Sequence, residues 1–299
     1  MTPSELLPTF ESFDLEVEQG VRIHGVTAGN GPALLLMHGH PQTLSTWWAV
    51  APRLVEAGYR VVATDLRGYG DSSRPPGGDD HINYSKRTMA RDQVAVMRAL
   101  GHERFAVIGH DRGARVAHRM ALDYPQAVER IVVIDIAPTA TVYARTDRRL
   151  ATKYFWWFFF IQPAPLPEHL IEADREFFLR AHLSAQSRTA GVPSERLVQE
   201  YLRCYCLPGT VHAICEDYRA AAGIDLLHDA EDQEVRIRVP LLVLWGVQGV
   251  VAELYDVLST WREKATDVRG RSLPGGHVPQ EEAPMGTAEA LVEFLGGDC

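Results

Sequence analysis

Five short, mostly apolar runs, at 33–37, 60–64, 105–108, 131–134 and 241–245, recur along the chain with helix-like segments between them. Each is nearly continuous rather than alternating, which suits a strand buried on both faces of a parallel sheet. Between the runs, Ala90, Val94 and Met97 repeat at helical spacing. Ala114, Ala117 and Ala121 form a stripe of small residues that lets a helix lie close to a sheet. Strands alternating with helices specify right-handed crossover units, hence an α/β fold with a doubly wound, mostly parallel sheet. The segment before Ala33, punctuated by Gly20 and Gly25, reads as an antiparallel hairpin leading into that sheet.

The alternation stops after Asp135. From 141 to 227 there are no strand-like runs, but aromatic residues, helix formers and a proline cluster at Pro163, Pro165 and Pro167. The alternation returns at 239–245. The expected organisation is a core at 1–140, a helical cap or lid inserted at 141–227, and the rest of the core at 228–299. A chain of 299 residues, 46% apolar, suffices for one such unit.

The formal charge of −9 gives no general attraction to nucleic acid or to anionic membranes. An anionic substrate would need local arginines to hold it. The N-terminus lacks a basic stretch followed by an apolar one, so no signal peptide is read. The most apolar run, 154–161, is too short to span a bilayer. Cys204, Cys206, Cys215 and Cys299 show no CxxC spacing, which fits reduced thiols in a cytoplasmic protein and no metal site.

The run at 105–108 passes directly into Gly109-His110-Asp111-Arg112-Gly113-Ala114. Small residues on both sides of Asp111 mark a sharp strand-to-helix turn, the nucleophile elbow, with aspartate where esterases carry serine. An aspartate that only caps a helix does not require glycine on both sides. Here Asp111 would stand at a helix N-terminus, where backbone N–H groups favour negative charge. His38-Gly39-His40-Pro41 follows the 33–37 run. The backbone N–H of His40, with that of Arg112, would form an oxyanion hole.

Near the C-terminus, Leu273-Pro274-Gly275-Gly276-His277 puts a histidine on a glycine-rich loop after the last core strand, the position of a catalytic base. The matching acid commonly follows the strand at 241–245, but Trp245-Gly246-Val247-Gln248-Gly249 holds no carboxylate. One strand earlier, the run at 131–134 ends in Asp135. Asp135 is therefore expected to orient His277 and stabilise its imidazolium.

A carboxylate nucleophile is ionised at neutral pH and needs no base for its first attack. It can displace a leaving group from an sp³ carbon to form an alkyl ester. A base can then direct water at the ester carbonyl. Serine would give an ether, which this route cannot hydrolyse. Asp111 thus points to a carbon–halogen bond or an epoxide as electrophile. Arg112 and Arg115 lie in the first turn of the following helix, where cations are unfavourable. A substrate carboxylate held by their guanidinium groups would compensate them.

Gly109-His110-Asp111-Arg112-Gly113-Ala114-Arg115, His38-Gly39-His40-Pro41-Gln42, Asp135-Ile136-Ala137-Pro138-Thr139, Glu216-Asp217-Tyr218-Arg219-Ala220 and Gly275-Gly276-His277 together resemble the fluoroacetate (haloacetate) dehalogenases of the α/β-hydrolase superfamily. The resemblance implies hydrolysis of a 2-haloacetate to glycolate and halide, by a homodimer without a cofactor. It also implies Asp111, Asp135 and His277 as the catalytic set, Arg112 and Arg115 as the carboxylate clamp, and Tyr218 as a halide ligand. The family's halide pocket has a His-Trp pair before Gln-Pro. Here that pair falls on Trp156-Trp157 before Gln162-Pro163, so tryptophan replaces the histidine. An indole N–H still donates to a halide but cannot become cationic, which favours chloride or bromide over fluoride as leaving group. An epoxide hydrolase with the same nucleophile is the alternative, and would use lid tyrosines to protonate the opening oxygen, for which Tyr143, Tyr154, Tyr205 and Tyr218 are available. A non-catalytic sensor of organic acids is the reading from another class; it leaves the complete set of Asp111, Asp135 and His277 unexplained.

Overall fold

The computed structural model describes residues 3–297. Cys299 and the first two residues of the N-terminal reading lie outside them, and Cys204, Cys206 and Cys215 are free thiols. Eight strands form one sheet: β1 (Glu11–Glu18), β2 (Val21–Ala28), β3 (Ala33–Met37), β4 (Arg60–Thr64), β5 (Phe105–His110), β6 (Val128–Ile134), β7 (Leu241–Gly246) and β8 (Val268–Leu273). Their spatial order is β1-β2-β4-β3-β5-β6-β7-β8. β1 and β2 form the expected antiparallel hairpin, and β2 runs antiparallel to β4. Every pair from β4 through β8 is parallel.

The side chains of the central strands alternate between two apolar layers. Leu35, Met37, Val107, Ile131, Val133 and Val243 face one side, where Ala90, Val94, Met97, Ala114, Ala117 and Ala121 of the helices Lys86–Ala99 and Arg112–Asp123 cover them. Leu34, Leu36, Ile108, Val132, Ile134 and Leu244 face the other, against Leu54, Leu291 and Phe294. Double-sided burial is the reason the strand runs are apolar without alternation.

Three of the runs read from the sequence are longer in the structure: β5 extends to His110, β6 begins at Val128 and β7 ends at Gly246. The range of β8 was not read at all. Val268-Arg269-Gly270-Arg271-Ser272-Leu273 is an edge strand with exposed and half-buried positions, so it carries no apolar run.

Between β6 and β7 the regular elements of the described residues are helices, with one isolated β-bridge from Ile237 to Ala265. Eight helices span it, from Thr139–Ala144 to Ile224–Glu231. Among the described residues no helix is long and apolar enough to cross a membrane.

Candidate active site

β5 delivers Asp111 on a turn that only glycine permits on either side. Asp111 has φ 41° and ψ −109°, a left-handed conformation that costs an L-residue energy. A Cβ on Gly109 would lie 2.4 Å from the Gly113 carbonyl oxygen, and one on Gly113 would lie 2.6 Å from that of His38. The carboxylate does not cap its own helix. Instead its Oδ2 accepts the backbone N–H of His40 at 3.1 Å. The Arg112 amide, the second expected donor, makes no hydrogen bond to Asp111 among the described residues. It stands in the first turn of the helix, where N–H groups have no intrahelical partner.

β6 ends in Asp135, which is buried and also left-handed, at φ 52°. Its Oδ1 accepts the Gly246 amide at 3.0 Å, and its Oδ2 lies 2.6 Å from His277 Nδ1. The stretch after β7 that lacks an acid supplies this carboxylate with a donor and with room. A Cβ on Gly249 would approach Asp135 Oδ1 to 3.0 Å. His277 is fixed by its backbone: its N–H donates to the Gln186 carbonyl at 2.9 Å, and its carbonyl lies 2.7 Å from His110 Nε2.

The charges are mutually adjusted. Burial alone would raise the Asp111 pKa, but the positive field of His277, Arg115 and Arg112 holds it below the usual carboxylate range. Burial alone would lower the His277 pKa, but its hydrogen bond to Asp135 and the charges of Asp135 and Asp111 raise it above its ordinary value. One group stays an anion and the other has a heightened affinity for a proton.

The two arginines differ. Arg112 has an internal counter-ion that sequence reasoning missed. Its Nε and Nη2 bind both carboxylate oxygens of Asp217, and Nη2 also reaches the Asp217 carbonyl at 2.9 Å. Asp217 additionally accepts Tyr69 Oη at 2.7 Å and pairs with Lys86. Only Arg112 Nη1 is without a partner in this group. The anion that compensates Arg112 is therefore built in, correcting the expectation that it needs a ligand. The clue was Asp217 itself, an acid directly before Tyr218. Arg115 is also buried but has only neutral partners: Nη1 donates to the Ala137 carbonyl at 3.1 Å and to Thr139 Oγ1 at 2.9 Å. Its guanidinium lies 4.5 Å from the centre of the Trp157 ring. Its Nε is unpartnered, and no carboxylate of the described residues pairs with it.

A cavity of about 40 Å³ joins these groups, with Asp111, Arg115, Tyr154, Trp156, Trp157, Tyr218 and His277 in its wall. The volume corresponds to a few water molecules, hence to a very small organic molecule. Arg112 is not part of the wall; it lies behind Tyr218, 4.1 Å from the ring centre. Tyr154, one of the lid tyrosines expected as proton donors under the epoxide alternative, lines the cavity together with Tyr218. Neither its hydroxyl nor that of Tyr218 has a hydrogen-bond partner among the described residues. Burial holds both phenols well above their ordinary pKa, so both keep their protons. His40, without an expected side-chain role, packs edge-on against Phe160, Tyr218 and His182. Burial lowers its pKa to about 3, so it adds no charge here. His182 in turn contacts Trp156, with ring centres 4.3 Å apart.

The family model of the alpha/beta hydrolase fold matches residues 32–284. A fluoroacetate dehalogenase from Burkholderia sp is 44% identical over 96% of this chain and 95% of its own length. The chain belongs to the fluoroacetate (haloacetate) dehalogenase family of the α/β-hydrolases. A soluble epoxide hydrolase from Corynebacterium sp. (strain C12) is 33% identical over 92% of this chain and 94% of its own. Among solved structures, a Salmonella enterica protein described as an acyltransferase superposes with a TM-score of 0.95, at 54% identity over 97% of this chain and 96% of that one. Hydrolase chemistry follows from this membership.

Proposed function

We propose that this chain hydrolyses 2-haloacetates to glycolate and halide through an ester on Asp111. One Oδ of Asp111 attacks the carbon that carries the halogen, and the carbon–halogen bond breaks. The halide departs among Trp156, Trp157 and Tyr218. Water then adds to the ester carbonyl on Asp111 as His277 takes its proton, with Asp135 stabilising the imidazolium. The His40 and Arg112 amides stabilise the oxyanion. The ester C–O bond to Asp111 breaks, His277 returns a proton to glycolate, and Asp111 is restored. The helical segment between β6 and β7 acts as the lid of this site.

The observation that carries this reading is Arg115, a buried cation in the cavity wall with no carboxylate paired to it among the described residues. A substrate carboxylate would complete it with a charge-assisted pair worth about 1.5–3 kcal/mol. Acyl transfer fits less well, because an acyl group on Asp111 would be an anhydride. The two unpartnered phenols favour epoxide opening as a second reading, but a neutral epoxide gives Arg115 no carboxylate to bind. Chloride release from chloroacetate, beside diol formation from styrene oxide, tests the choice. Chloride release alone is expected; diol formation alone would reverse the assignment.

A further inference from the structure

The features that separate the two readings sit in one cavity. The guanidinium of Arg115 has no carboxylate paired with it among the described residues, and asks for one. Two hydroxyls, on Tyr154 and Tyr218, have no hydrogen-bond partner among the described residues and can donate to an oxygen that is gaining charge. Asp111 attacks an sp³ carbon in either case. A haloacid uses the guanidinium and, for the departing halide, the Tyr218 hydroxyl, but leaves the Tyr154 hydroxyl without an acceptor. A neutral epoxide uses the phenols but not the guanidinium. A substrate that engages both carries an oxirane ring and a carboxylate on adjacent atoms. The cavity of about 40 Å³ restricts it to the smallest members of that class.

We infer that the same site opens small epoxy acids, with oxirane-2-carboxylate as the parent substrate, to the 2,3-dihydroxy acid. The inference rests on the proposed roles of Asp111 and Arg115. With the carboxylate on Arg115, C2 of the ring stands where a haloacetate presents its halogen-bearing carbon. Asp111 Oδ forms a bond to C2, and the C2–O ring bond breaks. The ring oxygen stays on C3 as an alkoxide and takes the proton of Tyr154 or Tyr218. The phenolate is reprotonated from solvent. Water then cleaves the ester as before, with His277 accepting its proton and returning it to the C2 oxygen, and the water's second proton leaves the re-formed Asp111 carboxyl for solvent, replacing the one the phenolate took up. The sum is epoxy acid plus water giving dihydroxy acid, with no other reactant.

The two chemistries leave different masses on the protein. In His277→Asn, which cannot hydrolyse the ester, oxirane-2-carboxylate should add the full mass of the acid, because ring opening expels nothing. Chloroacetate should add its mass less hydrogen chloride. The neutral analogue glycidol should label at least tenfold more slowly than the acid, since it gives Arg115 nothing to bind. Tyr154→Phe in that background should slow labelling by the epoxy acid about tenfold or more, and labelling by chloroacetate by less. A chloroacetate adduct without an epoxy-acid adduct overturns this inference and leaves the dehalogenase reading intact. The reverse result removes the dehalogenase reading and keeps this one. Equal labelling by glycidol and the acid overturns the role of the carboxylate. Equal slowing of both reagents by Tyr154→Phe overturns the phenol as proton donor. In the unsubstituted protein, formation of 2,3-dihydroxypropanoate gives an independent readout; its absence, with chloride released from chloroacetate, contradicts the inference without any variant.

Discussion

Asp217 grips Arg112 through both carboxylate oxygens, Nε to Oδ2 at 2.7 Å and Nη2 to Oδ1 at 2.8 Å, and both side chains are fully buried. Two arginines three residues apart on one helix thereby acquire different duties. Arg112 is tied to an acid of the helical segment between β6 and β7, and so joins that segment to the core. Arg115, with no carboxylate hydrogen-bonded to it among the described residues, stands in the cavity wall.

Arg115→Leu should lower kcat/KM for chloroacetate by roughly 10- to 150-fold, the loss of one charge-assisted contact. The melting temperature should fall little, because Arg115 has no ion pair to break. Steady-state kinetics beside thermal denaturation measures both. Unchanged kcat/KM would mean that the carboxylate is held elsewhere.

Asp217→Asn should act first on stability. It leaves the Arg112 and Lys86 charges buried without their main partner, and breaking a buried pair from one side costs about 3–5 kcal/mol. For a chain of this size that is a drop in melting temperature of roughly 5–8 °C. A variant as stable as the unsubstituted protein would show that Arg112 is solvated or paired in another way.

The pH dependence follows from His277. Its imidazole must be neutral to take a proton from water, so turnover should rise with pH as it loses its own. That pKa is raised from the ordinary 6.5, so the rising limb should lie above that value. Asp111, held low, stays ionised through the same range and adds no second limb. Asp135→Asn removes the main group that raises the pKa. The limb should then move to lower pH while the plateau rate falls by about 10²–10⁴. A limb that stays in place would separate Asp135 from His277 function.

Trp156 bears on the leaving group. With Trp156, Trp157 and Tyr218 as donors, the halide side of the cavity has only neutral N–H and O–H groups, which stabilise an anion less than a charged set does. Fluoride, with the most concentrated charge and the strongest bond to carbon, depends on them most. Chloroacetate should therefore turn over faster than fluoroacetate, and Trp156→His should raise the ratio of fluoride to chloride release. A ratio above one in the unsubstituted protein, or one that falls in the variant, would favour a steric role for the indole.

The elbow was legible because sterics leave no choice: Gly109 and Gly113 face backbone on both sides of Asp111. The contact between Asp135 and His277 was legible through an omission, the missing acid after β7. Asp217 was not, because its bond to Arg112 links positions 105 residues apart, and sequence spacing carries no register between the inserted helices and the core. Which of the lid tyrosines Tyr143, Tyr154, Tyr205 and Tyr218 line the cavity was not legible, because periodicity in an aromatic-rich segment does not separate cavity wall from packing. β8 was lost because an edge strand need not be apolar.

The carboxylate nucleophile is tested most directly without any substitution. A single turnover of chloroacetate by excess enzyme in H₂¹⁸O should give unlabelled glycolate, since the new oxygen comes from Asp111, and the peptide containing Asp111 should gain the label. Labelled glycolate with an unlabelled Asp111 peptide would mean that water attacks the substrate directly, and would contradict the ester on Asp111.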